Sequence, residues 1–373
     1  MTRSHPTPRR RRGALATDPN APVFQTRGLD VQFRVDSPRG KVTVRALDGI
    51  DFTLHRGEIA ALVGESGSGK TTLARVFSLI YRPTHGEVRV EGFPLEEIAR
   101  NEREYYRQVQ LIFQDPFASL NSLKKIRHII ERPVRIHKSA TGRAAVNAKV
   151  EELLTRVNLT PTDRYIDRYP TDLSGGQRQR VAIAKSLAVN PKVLLADEPT
   201  SMLDASIRLE VLNLLKDLRD REGLAVLYIT HDIASARYLS DRINVMYGGR
   251  IIESGPTEAI VSDPVHPYTK LLLKAAPDPA HFKGSGHSAV LDASSASPVD
   301  NSVEVVGCRF ANRCPVARPE CTSAPIPTFH GPHRRTIQCL EAMDRADFTD
   351  QPYDTPTPPE SEKSDEARKE DQG

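Results

Sequence analysis

The run Gly64-Glu-Ser-Gly-Ser-Gly-Lys70-Thr71 constrains this chain more than any other stretch. It has the G-x-x-x-x-G-K-[ST] spacing, and it follows the apolar segment Glu58-Ile-Ala-Ala-Leu-Val63, which reads as a buried strand. Glycine at Gly64, Gly67 and Gly69 lets backbone N–H groups converge on phosphate oxygens that any Cβ would obstruct. Ser66, Ser68 and Thr72 belong to the same cradle, and the N-terminus of the helix that follows adds its dipole. Lys70 can reach terminal phosphates, and the Thr71 hydroxyl can ligate Mg²⁺. A loop of this kind works only between a strand and a helix, so it calls for an α/β fold.

A second acidic feature stands downstream. Val193-Leu-Leu-Ala196 is an apolar strand that ends in Asp197 and Glu198. Such a strand places Asp197 beside the metal and Glu198 where it can polarise an attacking water. Strand-like runs also occur at Val31-Gln-Phe-Arg-Val35, Val42-Thr-Val-Arg-Ala46 and Leu224-Ala-Val-Leu-Tyr-Ile-Thr230. Their alternation with helices indicates a largely parallel sheet. Residues 115–172 lack β-branched runs and read as a helical insert.

Between the two phosphate-site features lies Leu173-Ser174-Gly175-Gly176-Gln177. By itself it fits a helix cap, with Ser at the N-cap. A Ser hydroxyl, two Gly amides and a helix N-terminus also make an anion site. Taken together, these features resemble the ATP-binding cassette (ABC) family over roughly residues 23–275. The resemblance implies Mg·ATP as ligand and a working dimer, in which Ser174, Gly175, Gly176 and Gln177 contact the γ-phosphate held by a partner subunit. It implies further that Gln114 senses the metal, that Asp204 closes a loop Ser201-Met-Leu-Asp204, and that His231 contacts the γ-phosphate. Met202 stands where Ala is commoner. Phe33 is the candidate aromatic for stacking on adenine, with a core strand position as its alternative.

Two stretches narrow the resemblance to the ATPase subunits of oligopeptide, dipeptide and nickel importers. They are Gln114-Asp-Pro-Phe-Ala-Ser-Leu-Asn121 and His266-Pro-Tyr-Thr-Lys-Leu-Leu-Leu-Lys-Ala-Ala-Pro277. Ser122-Leu123 departs from the Pro-Arg pair usual there. His266 reads as a turn before an amphipathic helix. The similarity implies a second ATPase subunit, identical or homologous, two membrane permease subunits and an extracytoplasmic solute-binding protein. It implies a peripheral place on the cytoplasmic face of a membrane. A soluble ABC ATPase acting on ribosomes or DNA is the alternative class; the single cassette and the importer-like extension speak against it.

Composition agrees with a soluble subunit. Hydrophobic residues are 38% and charged residues 27% of 373, and no stretch approaches the roughly 20 apolar residues of a membrane span. The net charge of +4 does not call for nucleic acid. Residues 1–22, with Arg9 to Arg12, read as a disordered leader, 278–302 as a linker, 303–343 as a C-terminal extension and 344–373 as a disordered acidic tail. All four cysteines, Cys308, Cys314, Cys321 and Cys339, lie in that extension and lack the C-x₂-C pairs of most zinc ribbons. Four thiolates suit Zn²⁺ or an iron–sulfur cluster, or they remain unligated. Similarity to peptide importers that carry a [4Fe–4S] cluster here favours the cluster.

Overall fold

The computed structural model describes residues 21–37, 40–115, 119–275 and 305–351. The leader, apart from its last two residues, and the whole 278–302 linker lie outside them. In chain order the strands are β1 (Phe24–Ser37), β2 (Gly40–Leu54), β3 (Ile59–Val63), β4 (His85–Val90), β5 (Phe93–Pro94) and β6 (Val109–Ile112). They continue as β7 (Val193–Asp197), β8 (Ala225–Thr230), β9 (Arg242–Tyr247), β10 (Arg250–Pro256), β11 (Phe329–Gly331) and β12 (Arg335–Ile337). One sheet runs β11-β12-β10-β9-β3-β8-β7-β6, parallel from β9 to β6 and antiparallel beyond β9. The other is the antiparallel sheet β2-β1-β4-β5.

The parallel strands are covered on both faces, which explains their unbroken apolar sequences. Side chains alternate across a strand, and the two cores divide accordingly. Ile59, Ala61 and Val63 of β3, with Val226 and Tyr228 of β8, face a core that includes the helical insert. Ala60 and Leu62, with Ala225, Leu227 and Ile229, face a second core shared with β1, β2, β4 and the helix Lys70–Phe77. The phosphate loop is thus clamped between two packed layers at the end of β3.

The insert is helical as expected, with Ile126–Ile136, Arg143–Arg156 and Asp163–Ile166 as its helices. No helix among the described residues is long and apolar enough to cross a membrane. The boundary at residue 344 needs correction. Arg345 pairs with Asp263 and Asp347, Phe348 packs against the Val265–Phe329–Ile337 cluster, and Thr349 bridges to His330. An acidic composition alone hid these specific ion pairs. The extension is also joined to the main sheet by β12, where Arg335 forms a buried 3.0 Å ion pair with Glu253 of β10.

Candidate functional site

The phosphate loop opens with a glycine for which nothing larger would serve. A Cβ on Gly64 would stand 2.1 Å from the Met246 carbonyl oxygen. Gly69 has φ 105° and leaves 2.4 Å to the Ala46 carbonyl oxygen, so a side chain there would be both strained and blocked. Lys70, buried, donates to the carbonyls of Gly64 at 2.7 Å and Glu65 at 2.8 Å. Burial holds its ammonium below its ordinary pKa, opposed by the Glu198 and Asp197 carboxylates. A bound polyphosphate would add counter-charge to this desolvated cation.

The acidic pair sits across from the loop. Asp197 ends β7 and accepts from the Thr71 hydroxyl at 3.1 Å. Burial raises its pKa, and the Thr71 hydrogen bond and Lys70 oppose the rise. Hard oxygen donors in this arrangement, Thr71 and Asp197 with the Gln114 amide oxygen as third candidate, match the chemistry of Mg²⁺. Glu198 adopts a left-handed backbone, φ 46°, held by its N–H donating to Ile229 and by Ser201 donating to its carbonyl. Its carboxylate accepts from Gln114 Nε2 at 3.0 Å and stands 3.2 Å from His231 Nδ1. The structure therefore brings Gln114, Glu198 and His231 together.

These groups line a cavity of about 740 Å³, within the roughly 300–1,000 Å³ of small-molecule sites. Ser66, Gly67, Gly69, Lys70, Thr71 and Thr72 form its floor, with Ser68 buried beneath. None of Ser174, Gly175, Gly176, Gln177 and Asp204 lines it. Ser174 instead caps the helix Gly175–Leu187 in a reciprocal pair with Gln177, and Asp204 caps Ala205–Glu222 by accepting from Ile207 at 2.9 Å. Both are surface features of their own chain. Phe33 does not line the cavity either; it packs edge-to-face on Tyr81 at 4.9 Å. Val44 and Ala46 of β2 line the wall instead, with Leu272. The period-two pattern of β2 was the signal for them.

The sequence reading also missed two residues that touch the loop from the C-terminal side. Tyr268 accepts the Glu65 N–H at 2.9 Å, and Arg313 pairs with the Glu65 carboxylate at 3.0 Å. His266 accepts the Tyr268 N–H at its Nδ1, 3.0 Å away, so it fixes the start of the helix Pro267–Ala275. The four cysteines are free thiols lining one cavity with His266. Burial raises the pKa of Cys308, Cys314 and Cys339, the last to about 12. Among the described residues no group of three or more His, Cys, Asp or Glu side chains is disposed to hold a metal ion.

A glycine cradle, a buried lysine, a Thr–Asp pair for Mg²⁺ and a hydrogen-bonded glutamate together define a phosphate-loop ATPase. Comparison with known proteins places it more closely. The family description "ABC transporter" matches residues 47–201, and "Oligopeptide/dipeptide transporter, C-terminal region" matches residues 252–321. The oligopeptide transport ATP-binding protein OppF of Salmonella typhimurium is 39% identical over 86% of this chain and 98% of that protein. AppF of Bacillus subtilis is 41% identical over 77% of this chain and 86% of its own length. The di/tripeptide transport ATP-binding protein DppF of Pseudomonas aeruginosa is 39% identical over 82% of this chain and 92% of its length. Among solved structures, cbiO1 of Clostridium perfringens, part of the ABC transporter complex cbiONQ, superposes with TM-score 0.57 at 27% identity, covering 65% and 92% of the two chains. A dimeric post-hydrolysis state of the ATP-binding cassette MJ0796, bound to ADP and Pi, gives 0.55 at 28%, covering 63% and 98%. The chain belongs to the ATP-binding subunits of ABC transporters, in the oligopeptide/dipeptide family.

Proposed function

We propose that the chain energises import of oligopeptides or dipeptides, as one of two paired ATPase subunits beneath two membrane permeases fed by an extracytoplasmic binding protein. The observation that carries this reading is the union of a phosphate-loop ATP site with the importer-type C-terminal region in one chain. Beyond the matched residues 252–321, β12 pairs with β10 and extends the sheet that holds the phosphate loop. Exposed Leu123 and Tyr169, with Lys124, Lys125 and His128 around one groove of the insert, offer a face for a permease.

The chemistry follows from the geometry. Bound ATP would set its phosphates on the loop amides and Lys70, with the metal at Thr71, Asp197 and Gln114 to neutralise charge. Glu198 would accept a proton from the water attacking the γ-phosphorus as the bond to the β–γ bridging oxygen breaks. Gln114 and His231 hold that carboxylate in place. Each ATP would be enclosed by the loop of one subunit and Ser174–Gln177 of the other.

A strain lacking this chain is expected to stop using peptides as an amino-acid source and to resist toxic peptide analogues, with growth on free amino acids unchanged. Normal peptide uptake with impaired nickel-dependent enzymes would point to nickel instead. A pull-down that returned ribosomes or DNA in place of integral membrane proteins would reject transport altogether.

The cysteines are proposed to hold an iron–sulfur cluster of structural role. Four thiols around one cavity support this, as does His266, whose buried Nε2 has no hydrogen-bond partner where it lines that cavity. With its Nδ1 accepting, that Nε2 carries the proton and can donate to a sulfur. Zinc and unligated thiols are the alternatives, and among the described residues no group of three or more such side chains is disposed to hold a metal ion. Anaerobically purified protein is expected to be brown and to bleach on oxidation, and Cys314→Ser is expected to remove the colour. Colourless protein with no iron on elemental analysis would reject the cluster.

A further inference from the structure

The phosphate loop carries an acidic residue, Glu65, at the wall of the ATP cavity. A carboxylate beside the site of a polyphosphate repels the ligand unless it is neutralised. In this chain the neutralising group comes from the C-terminal extension. Arg313 Nη1 donates to Glu65 Oε2 at 3.0 Å and Nη2 to Oε1 at 3.1 Å, a two-point fork that fixes the carboxylate in position as well as in charge. Arg313 is itself held. Its guanidinium lies 5.8 Å from the Tyr247 ring centre and 5.7 Å from that of Phe310, and Nη1 also donates to the Tyr247 hydroxyl at 3.3 Å. Tyr247, Tyr268 and Phe310 pack against one another edge-to-face or tilted, with centroids 4.7 to 5.4 Å apart. From this cluster Tyr268 reaches back to accept the Glu65 N–H. Glu65 is therefore gripped through its carboxylate and its amide by residues outside the ATPase motifs, while its carbonyl accepts from Lys70.

We infer that Arg313 is a positioning residue for nucleotide binding: it cancels and orients the Glu65 carboxylate so that the loop can accept ATP. The turn Ala311–Arg313 that presents it lies between Cys308 and Cys314. The extension thereby acts directly on affinity for nucleotide. This inference rests on the ATP site and is independent of which solute is carried.

The test is equilibrium binding of trinitrophenyl-ATP with Mg²⁺ to the full chain. Arg313→Ala is expected to weaken binding about threefold to tenfold. The loss should shrink near 0.5 M salt, where screening acts over only a few ångströms. Adding Glu65→Gln to Arg313→Ala should restore affinity to within about twofold of the native chain, because the unpaired carboxylate is then gone. Glu65→Gln alone, which leaves the cation in place, should bind as tightly as the native chain or tighter, and it serves should Arg313→Ala fail to fold. Unchanged affinity in a folded Arg313→Ala protein, a double variant as weak as Arg313→Ala, or weakened binding by Glu65→Gln alone would each overturn the inference. A merely structural arginine would give losses that Glu65→Gln does not reverse.

Discussion

The Glu198→Gln variant is expected to bind Mg·ATP with native affinity and to lose turnover by a factor on the order of 10²–10⁴. The carboxylate is held by Gln114 at 3.0 Å and faces His231 at 3.2 Å, and its backbone by a hydrogen bond to Ile229, so an amide of the same shape fits without repacking. What is lost is the capacity to take a proton from water. Lys70 and the loop amides, which would bear the phosphates, are untouched. ATP should then persist between the two paired cassettes, and the variant should accumulate as an ATP-bound dimer. Phosphate release by the assembled transporter, measured beside ATP binding, decides the matter. A near-native rate would remove Glu198 from its assigned role.

Replacing Ser174 by Arg is expected to suppress turnover by about two orders of magnitude while ATP binding to the single chain stays native. Ser174 is exposed and does not line its own chain's cavity. Its local duty is the N-cap of Gly175–Leu187, accepting from Gln177 N–H at 3.3 Å, and loss of such a cap costs only about 1 kcal/mol. A fold defect therefore cannot produce the large effect. The damage would come from a long cation pushed into the space where the partner's γ-phosphate must dock. Titration of a fluorescent ATP analogue into the isolated variant checks this. A large fall in affinity there would place the signature loop on its own nucleotide and defeat the arrangement across two subunits.

The motifs that were legible in the sequence are those whose chemistry demands consecutive residues. A phosphate cradle needs several backbone amides in a row, so Gly64 to Thr71 writes itself as a string. The strand ending in Asp197 and Glu198 is similarly local. What could not be read was brought together over long distances. Arg313 reaches Glu65 from 248 residues away and Tyr268 from 203, and no periodicity encodes such pairs. The assignment of Phe33 met a different obstacle. β1 carries register shifts between Leu29 and Val31 and between Val31 and Gln32, just before Phe33. In the register that follows them Phe33 stands opposite Val44, and opposed residues share one face of a sheet, so alternation alone could not tell which of the two lines the cavity. Arg345 and Phe348 were lost in an acidic stretch for the same reason as Arg313: their partners are Asp263 and the β10–β12 region.

The junction of β12 with β10 bears on how such a chain can be divided. A fragment ending near residue 275 would contain every ATPase motif, and motif content alone would suggest that it suffices. It would nevertheless strip the outer edge of β10 and leave Glu253, 1% exposed, without the Arg335 guanidinium that balances it. Bare strand edges recruit other chains, and an uncompensated interior charge weakens the layer that bears it. The extension is thus a hem sewn onto the sheet. Trimming it would invite self-association before any question of catalysis arose.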